Sequence, residues 1–121
     1  MIGWTLQQWQ AAYRSGDLTP LQAMKQLAAL LHDSERALWI HLLDESSLVA
    51  QAETLTDPSL PLYGIPFAVK DNIDVAGMPT TAACPAFAYT AQEDATVVRL
   101  LRDAGAIVVG KTNLDQFATG L

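Results

Sequence analysis

Asp94-Ala-Thr-Val-Val-Arg-Leu-Leu-Arg-Asp-Ala-Gly105-Ala-Ile-Val-Val-Gly110-Lys111-Thr112 is the stretch whose reading decides the fold. Its first half has helical spacing. Val97, Leu100, Leu101 and Ala104 share one face, Arg99, Arg102 and Asp103 lie opposite, Asp94 is the expected cap and Gly105 the expected stop. Its second half, residues 106–109, is an apolar, β-branched run that reads as a strand. The same letters from Gly105 to Thr112 also satisfy the phosphate-loop pattern G-x-x-x-x-G-K-[ST]. A phosphate loop needs a strand before its first glycine and a loop of free backbone N–H groups after it. Here a helix precedes Gly105 and the intervening residues are themselves the strand, so nucleotide binding is rejected. An earlier strand candidate, residues 65–70, ends in Lys70, and Pro66 restricts it to an edge or irregular position. Strand, helix, strand in that order predicts a β-α-β crossover and an α/β fold.

Outward from this core, the N-terminal third reads as helices. Thr5 and Gln8 have capping-box spacing, with Leu6, Trp9 and Tyr13 on one face and Gly16 ending the turn. Thr19-Pro20-Leu21-Gln22 repeats the signal with proline at the first helical position, and Leu21, Met24, Ala28 and Leu31 form a stripe. Residues 37–43 read as a short buried strand, and Asp44-Glu45 opens a third helix through about Leu55. Residues 57–61, rich in proline, form a connection. Residues 71–93 are turn-rich and lack periodicity over a length that points to function. Asn113 is placed to cap a last helix. The expected organisation is a mainly helical lead-in over 1–60 and a lysine-bearing β-α-β segment over 61–121, together one domain.

Composition narrows the class. Half of the 121 residues are hydrophobic, which suits a globular domain, and no run approaches the length of a membrane span. The start lacks the basic and apolar regions of a secretion signal. Cys84 is the only cysteine, which fits a reducing cytoplasm. Net charge is −6 with scattered basic residues, a poor match to nucleic acid. His32, His41 and Cys84 are too widely spaced for a metal site, and no cofactor motif is present.

The chemistry-bearing candidate is Lys70. A lysine at the end of an apolar strand is carried inward, where desolvation lowers its pKa and makes it a base. Asp71 is placed to orient the following loop by accepting backbone hydrogen bonds. Lys111 reads first as a surface or structural lysine at a strand end, with a second buried base as the alternative. Thr80 and Thr81 are expected to satisfy local backbone groups. Cys84 reads as a packed cysteine, and Trp4, Trp9 and Trp39 as packing residues. Ser46 and Ser47, at a helix start, are in the wrong setting for nucleophiles.

Three blocks then carry a resemblance: Gly64-Ile-Pro-Phe-Ala-Val-Lys70-Asp71, Gly77-Met-Pro-Thr80-Thr81, and the opening stretch continued to Asn113. In order and spacing they resemble the amidase signature family, and residues 71–89 and 113–121 are most similar to its allophanate hydrolase members. The resemblance implies an amidase-signature α/β fold, a mixed sheet flanked by helices. It also implies hydrolysis of a small-molecule amide, allophanate (urea-1-carboxylate), to ammonia and carbon dioxide, with a functional link to urea carboxylase and no cofactor. It assigns Lys70 to a Ser–cis-Ser–Lys triad whose two serines lie in a later glycine- and serine-rich segment. The expectation is therefore an N-terminal fragment that is inactive and marginally folded alone, completed by sequence beyond Leu121 in an enzyme for which an oligomer is possible and the oligomeric state is left open. An amidase acting on another carboxamide, an amidotransferase component that feeds ammonia to aminoacyl-tRNA, and a non-catalytic binding remnant are the alternatives.

Overall fold

Helix α1 (Leu6–Ser15) starts where Thr5 and Gln8 exchange hydrogen bonds, Gln8 N–H donating to Thr5 Oγ1 (3.2 Å) and Thr5 N–H to Gln8 Oε1 (2.7 Å). Gly16, at φ 80°, ends it by donating its N–H to Tyr13 O. Helix α2 (Pro20–His32) repeats the device with Thr19 and Gln22 behind Pro20. Each reciprocal box satisfies backbone donors that a helix start leaves free, and both lie where the spacing predicted. The structure is a computed structural model and describes residues 1, 3–34 and 38–113. The helix expected after Asn113 lies outside the described residues.

Strand β1 (Trp39–Leu42) follows, and α3 (Glu45–Glu53) begins at Asp44, whose carboxylate accepts the Ser47 N–H at 2.9 Å. The strand is half-exposed where a buried one was expected, because it lies at a sheet edge. Then come β2 (Pro66–Lys70), the two-residue strands β3 (Pro79–Thr80) and β4 (Tyr89–Thr90), helix α4 (Thr96–Asp103) and β5 (Ile107–Thr112). The main sheet has the order β1-β5-β2, with β5 central, antiparallel to β1 and parallel to β2. Helix α4 makes the crossover between the parallel pair, so the expected β-α-β unit and α/β class are both present. Pro66, which has no N–H, sits on the edge strand β2. The pair β3–β4 forms a separate small ladder within the turn-rich segment.

Successive residues of β5 feed two cores. Ile107 and Val109 join Trp9, Met24, Leu27 and Leu48 from the three N-terminal helices, whereas Val108 joins Val69, Val75, Met78 and Val98. Helix α4 meets this second core through Val98, which is 1% exposed. The predicted face is therefore rotated: Val97 and Leu100 are 52% and 57% exposed. The capping expectation also changes. Ala95 is the N-cap, and Asp94 instead accepts the Ala76 N–H (2.8 Å) and faces Arg102 at 3.6 Å. Asp94 thus ties the turn-rich segment to the helix that follows it.

The false phosphate loop acquires a structural reason for its glycines. Residues 107–112 are strand, as the rejection required. Gly105 turns helix into strand at φ 101°, and a Cβ there would stand 2.9 Å from Tyr63 Cα. At Gly110 an added Cβ would stand 2.6 Å from His41 O, so only glycine lets β1 approach β5 this closely.

Candidate functional site

One extra residue decides which lysine is buried. Between β2 and β5, Phe67 pairs with Val108 but Ala68 pairs with Gly110, leaving Val109 as a bulge. Unbroken alternation from Ile107 and Val109 would send Lys111 toward the N-terminal helices. The bulge reverses that phase and puts Lys111 opposite Val69, on the side of the second core. Its side chain is 0% exposed. The ammonium donates to Asp71 O (3.2 Å), Pro79 O (3.1 Å) and Thr80 Oγ1 (3.4 Å), and lies 3.5 Å from Asp71 Oδ1. Desolvation holds its pKa below the ordinary lysine value, with the charges of Asp71 and Asp74 opposing that shift.

Lys70, in register with Thr112, alternates to the other face and is exposed together with Ala68. The burial expected of Lys70 falls on Lys111 instead, because β2 is an edge strand and this part of its outer face is uncovered among the described residues. Lys70 nevertheless leaves a well-held main chain. Its carbonyl accepts the Ile73 N–H at 2.9 Å, and the next N–H, of Asp71, donates to Thr112 O at 3.1 Å.

Asp71 is fully buried and acts as anticipated on the following loop. Its Oδ2 accepts the Thr81 N–H (3.2 Å), the Ala83 N–H (3.4 Å) and the Thr81 hydroxyl. These bonds hold a strained turn, since Ala82 and Ala83 have φ of 49° and 59°. Left-handed alanines are unfavourable by roughly 1–2 kcal/mol each, so the carboxylate offsets a local conformational cost. Thr81 thus binds a carboxylate as well as the Ala83 N–H (3.2 Å). Thr80 likewise departs from a purely local role: its hydroxyl donates to Asp74 Oδ1 at 2.8 Å, beside the Tyr89 hydroxyl at 2.7 Å. The Tyr89 and Thr80 bonds lower the Asp74 pKa, and the Asp74 bond raises that of Tyr89.

Of the other candidates, Cys84 adjoins this cluster through its N–H, which donates to Thr81 O at 2.8 Å, and the rest stay apart from it. Cys84 is a half-buried free thiol before the turn Pro85–Phe87, while His32 ends α2 and His41 lies on β1. Trp9 is buried, Trp4 packs edge-on against it at 5.2 Å, and Trp39 donates to Ser34 Oγ. Ser46 and Ser47 serve the start of α3. Among the described residues no His, Cys, Asp or Glu group could hold a metal. A groove of about 470 Å³ between α1 and residues 58–63 is lined by Tyr13, Arg14 and Tyr63, but by none of Lys70, Asp71 or Lys111.

The amidase family model matches residues 21–121, more than four-fifths of the sequence. The chain belongs to the amidase family. This amidase-family chain is 52% identical over 128 aligned residues to urea amidolyase of Lachancea kluyveri, with 99% of the chain and 7% of that relative covered. It is 43% identical to a glutamyl-tRNA(Gln) amidotransferase subunit of Akkermansia muciniphila, covering 96% of the chain and 25% of that relative. In three dimensions it superposes on allophanate hydrolase of Kluyveromyces lactis with a TM-score of 0.85 at 47% identity, covering 98% of the chain and 20% of that structure. The chain therefore spans between one-fourteenth and one-quarter of the length of these relatives.

The sequence reading ranked a buried Lys111 second to a strand-end surface or structural lysine, and the structure buries it. A signal existed: an isolated lysine closing an unbroken apolar strand needs oxygen partners, and Asp71, Thr80 and Thr81 stood in the matching turn. The bulge that brings them together had no separate signal.

Proposed function

We propose that this chain is the lysine-bearing part of an amidase that hydrolyses allophanate to ammonia and carbon dioxide, with Lys70 as its base. The observation that carries the reading is the near-complete alignment of the chain with urea amidolyase, at an identity above that to the amidotransferase. The main chain at Lys70 is pinned to β5, while its side chain is exposed and without a partner among the described residues, so the desolvation that the role calls for is not supplied by them.

In this reading the Lys70 amine takes a proton through a bridging serine, and a second serine attacks the substrate carbonyl. Backbone N–H groups hold the oxyanion, ammonia leaves, and water clears the acyl-enzyme. Both serines belong to sequence outside these 121 residues. A biotin-dependent urea carboxylase supplies allophanate, and the cytoplasm is the proposed compartment, in line with the unpaired Cys84. A broader amidase or an amidotransferase component is the second reading, supported by the 43% identity to the Akkermansia muciniphila relative.

The test is ammonia release from allophanate by the full-length protein carrying this chain, with glutamine and simple carboxamides alongside. Lys70→Ala is expected to lower kcat by roughly 10²–10⁴-fold with the fold intact. Unchanged turnover in that variant overturns the assignment of Lys70, and turnover of glutamine in place of allophanate transfers the chain to the second reading. The 121-residue chain alone is expected to release no ammonia.

A further inference from the structure

We propose that Lys111 is a positioning residue for Lys70, acting through Asp71. Two consecutive residues of β5 hold Asp71 by its main chain: Thr112 O accepts its N–H at 3.1 Å, and the Lys111 ammonium donates to its carbonyl at 3.2 Å. The Asp71 N–H belongs to the same peptide bond as the Lys70 carbonyl. The point at which the Lys70 side chain emerges is therefore fixed against the central strand.

The brace reaches further than one peptide. The same ammonium donates to Pro79 O and Thr80 Oγ1, so it also fastens the near end of the 79–83 turn. Asp71 fastens the far end, through the bonds from Oδ2 to Thr81 and Ala83. Its other oxygen, Oδ1, is buried and has no hydrogen-bond partner; the ammonium at 3.5 Å is what balances it. Removing the cation leaves Oδ1 buried without a partner or a balancing charge, and relief requires the turn or the strand exit to move. Lys70 itself sits on the opposite face of the sheet, so Lys111 does not touch the reacting atoms and influences them only through Asp71.

The inference rests on Lys70 being the base, and the experiment separates the two ideas. In the full-length protein, Lys111→Met and the double variant Lys111→Met with Asp71→Asn are compared with Lys70→Ala for kcat, KM and thermal midpoint on allophanate. The double variant removes the unbalanced charge along with the tether to Asp71 O and Pro79 O. Its thermal midpoint is expected to recover toward that of the parent, with kcat still lowered by about 10–100-fold and KM within about threefold. Recovery of kcat together with the midpoint overturns the proposal and leaves Lys111 purely structural. Full activity of Lys70→Ala instead overturns the reading beneath it.

If neither Lys111 variant folds, acetic anhydride labelling of the three lysines decides, with Lys25 as the internal reference. Lys111 is expected to label at least about tenfold more slowly than Lys25 in the parent. Asp71→Asn is expected to raise Lys111 labelling and to alter the rate at Lys70 while leaving that at Lys25 unchanged. An unaltered Lys70 rate in a variant with exposed Lys111 overturns the coupling.

Discussion

Lys70 and Lys111 sit on adjacent parallel strands, one register position apart, and the same sheet treats them in opposite ways. Lys70 is exposed on an edge strand whose outer face is uncovered around it among the described residues, whereas Lys111 is sealed among two carbonyls, a hydroxyl and a carboxylate. What separates them is the bulge at Val109, which inverts the phase of β5 after the core residues have been set. Burial of a charged side chain here is thus a property of strand phase and of available oxygens. Proximity to an apolar run predicts neither.

The sharpest way to break this contrast is to remove each amine in turn. Lys111→Met abandons the Asp71 carboxylate in the interior and is expected to destabilise the chain by about 3–5 kcal/mol. Lys70→Met, on an exposed surface with no partner among the described residues, is expected to change stability by no more than about 0.5 kcal/mol. Urea unfolding of the two variants checks both numbers. Equal losses would show that the two lysines share one environment.

A second substitution asks whether β1 helps to hold the phase of the central strand. Gly110→Ala puts a methyl group 2.6 Å from His41 O, next to the residue that carries the buried amine. Backbone must shift to relieve it, for an expected loss of about 1–3 kcal/mol. Acetylation of Lys111 should rise in that variant, because β1 is displaced from Gly110 and Lys111, its register partners. A stable variant with Lys111 still protected would mean that β1 contributes little to the phase.

Much of this was legible in the residues. Both capping boxes, the left-handed stop at Gly16, the crossover, and the edge position of a strand starting at Pro66 follow from side-chain chemistry acting over a few positions. The loop role of Asp71 was visible for the same reason, as a short carboxylate ahead of a turn. The exchange of environments between the lysines was not. Ile107, Val108 and Val109 are apolar on both faces of the sheet, so their sequence carries no record of where alternation slips. Helix α4 misled in a related way: Val97 and Leu100 supply a convincing stripe, yet Val98 is the residue that the strands and the 73–78 turn enclose. A pattern in one element states which faces are able to be buried, and only the neighbours determine which one is.

The smallest expected effect concerns the charges around the brace and is read from pH. The Tyr89 and Thr80 hydroxyls bond the Asp74 carboxylate and lower its pKa below the ordinary 3.8. A lowered carboxylate contributes stability that is fully present above 3.8 and is lost as pH falls through the folded-state value. Asp44 and Asp57, lowered mainly by bonds from serines, add to the same acid loss, but they do so equally with or without Asp74. Lys111 has the same sign from a higher starting point: its depressed value gives a contribution present above 10.5 and lost as pH falls through the folded value. Stability followed from about pH 5 to pH 2 should therefore fall less steeply in Asp74→Asn than in the parent. Parallel curves would mean that Asp74 is bonded no better in the folded chain than in the unfolded one. The β3–β4 ladder would then be held by its backbone alone, leaving the Lys111 brace as the ionic restraint on the 79–83 turn.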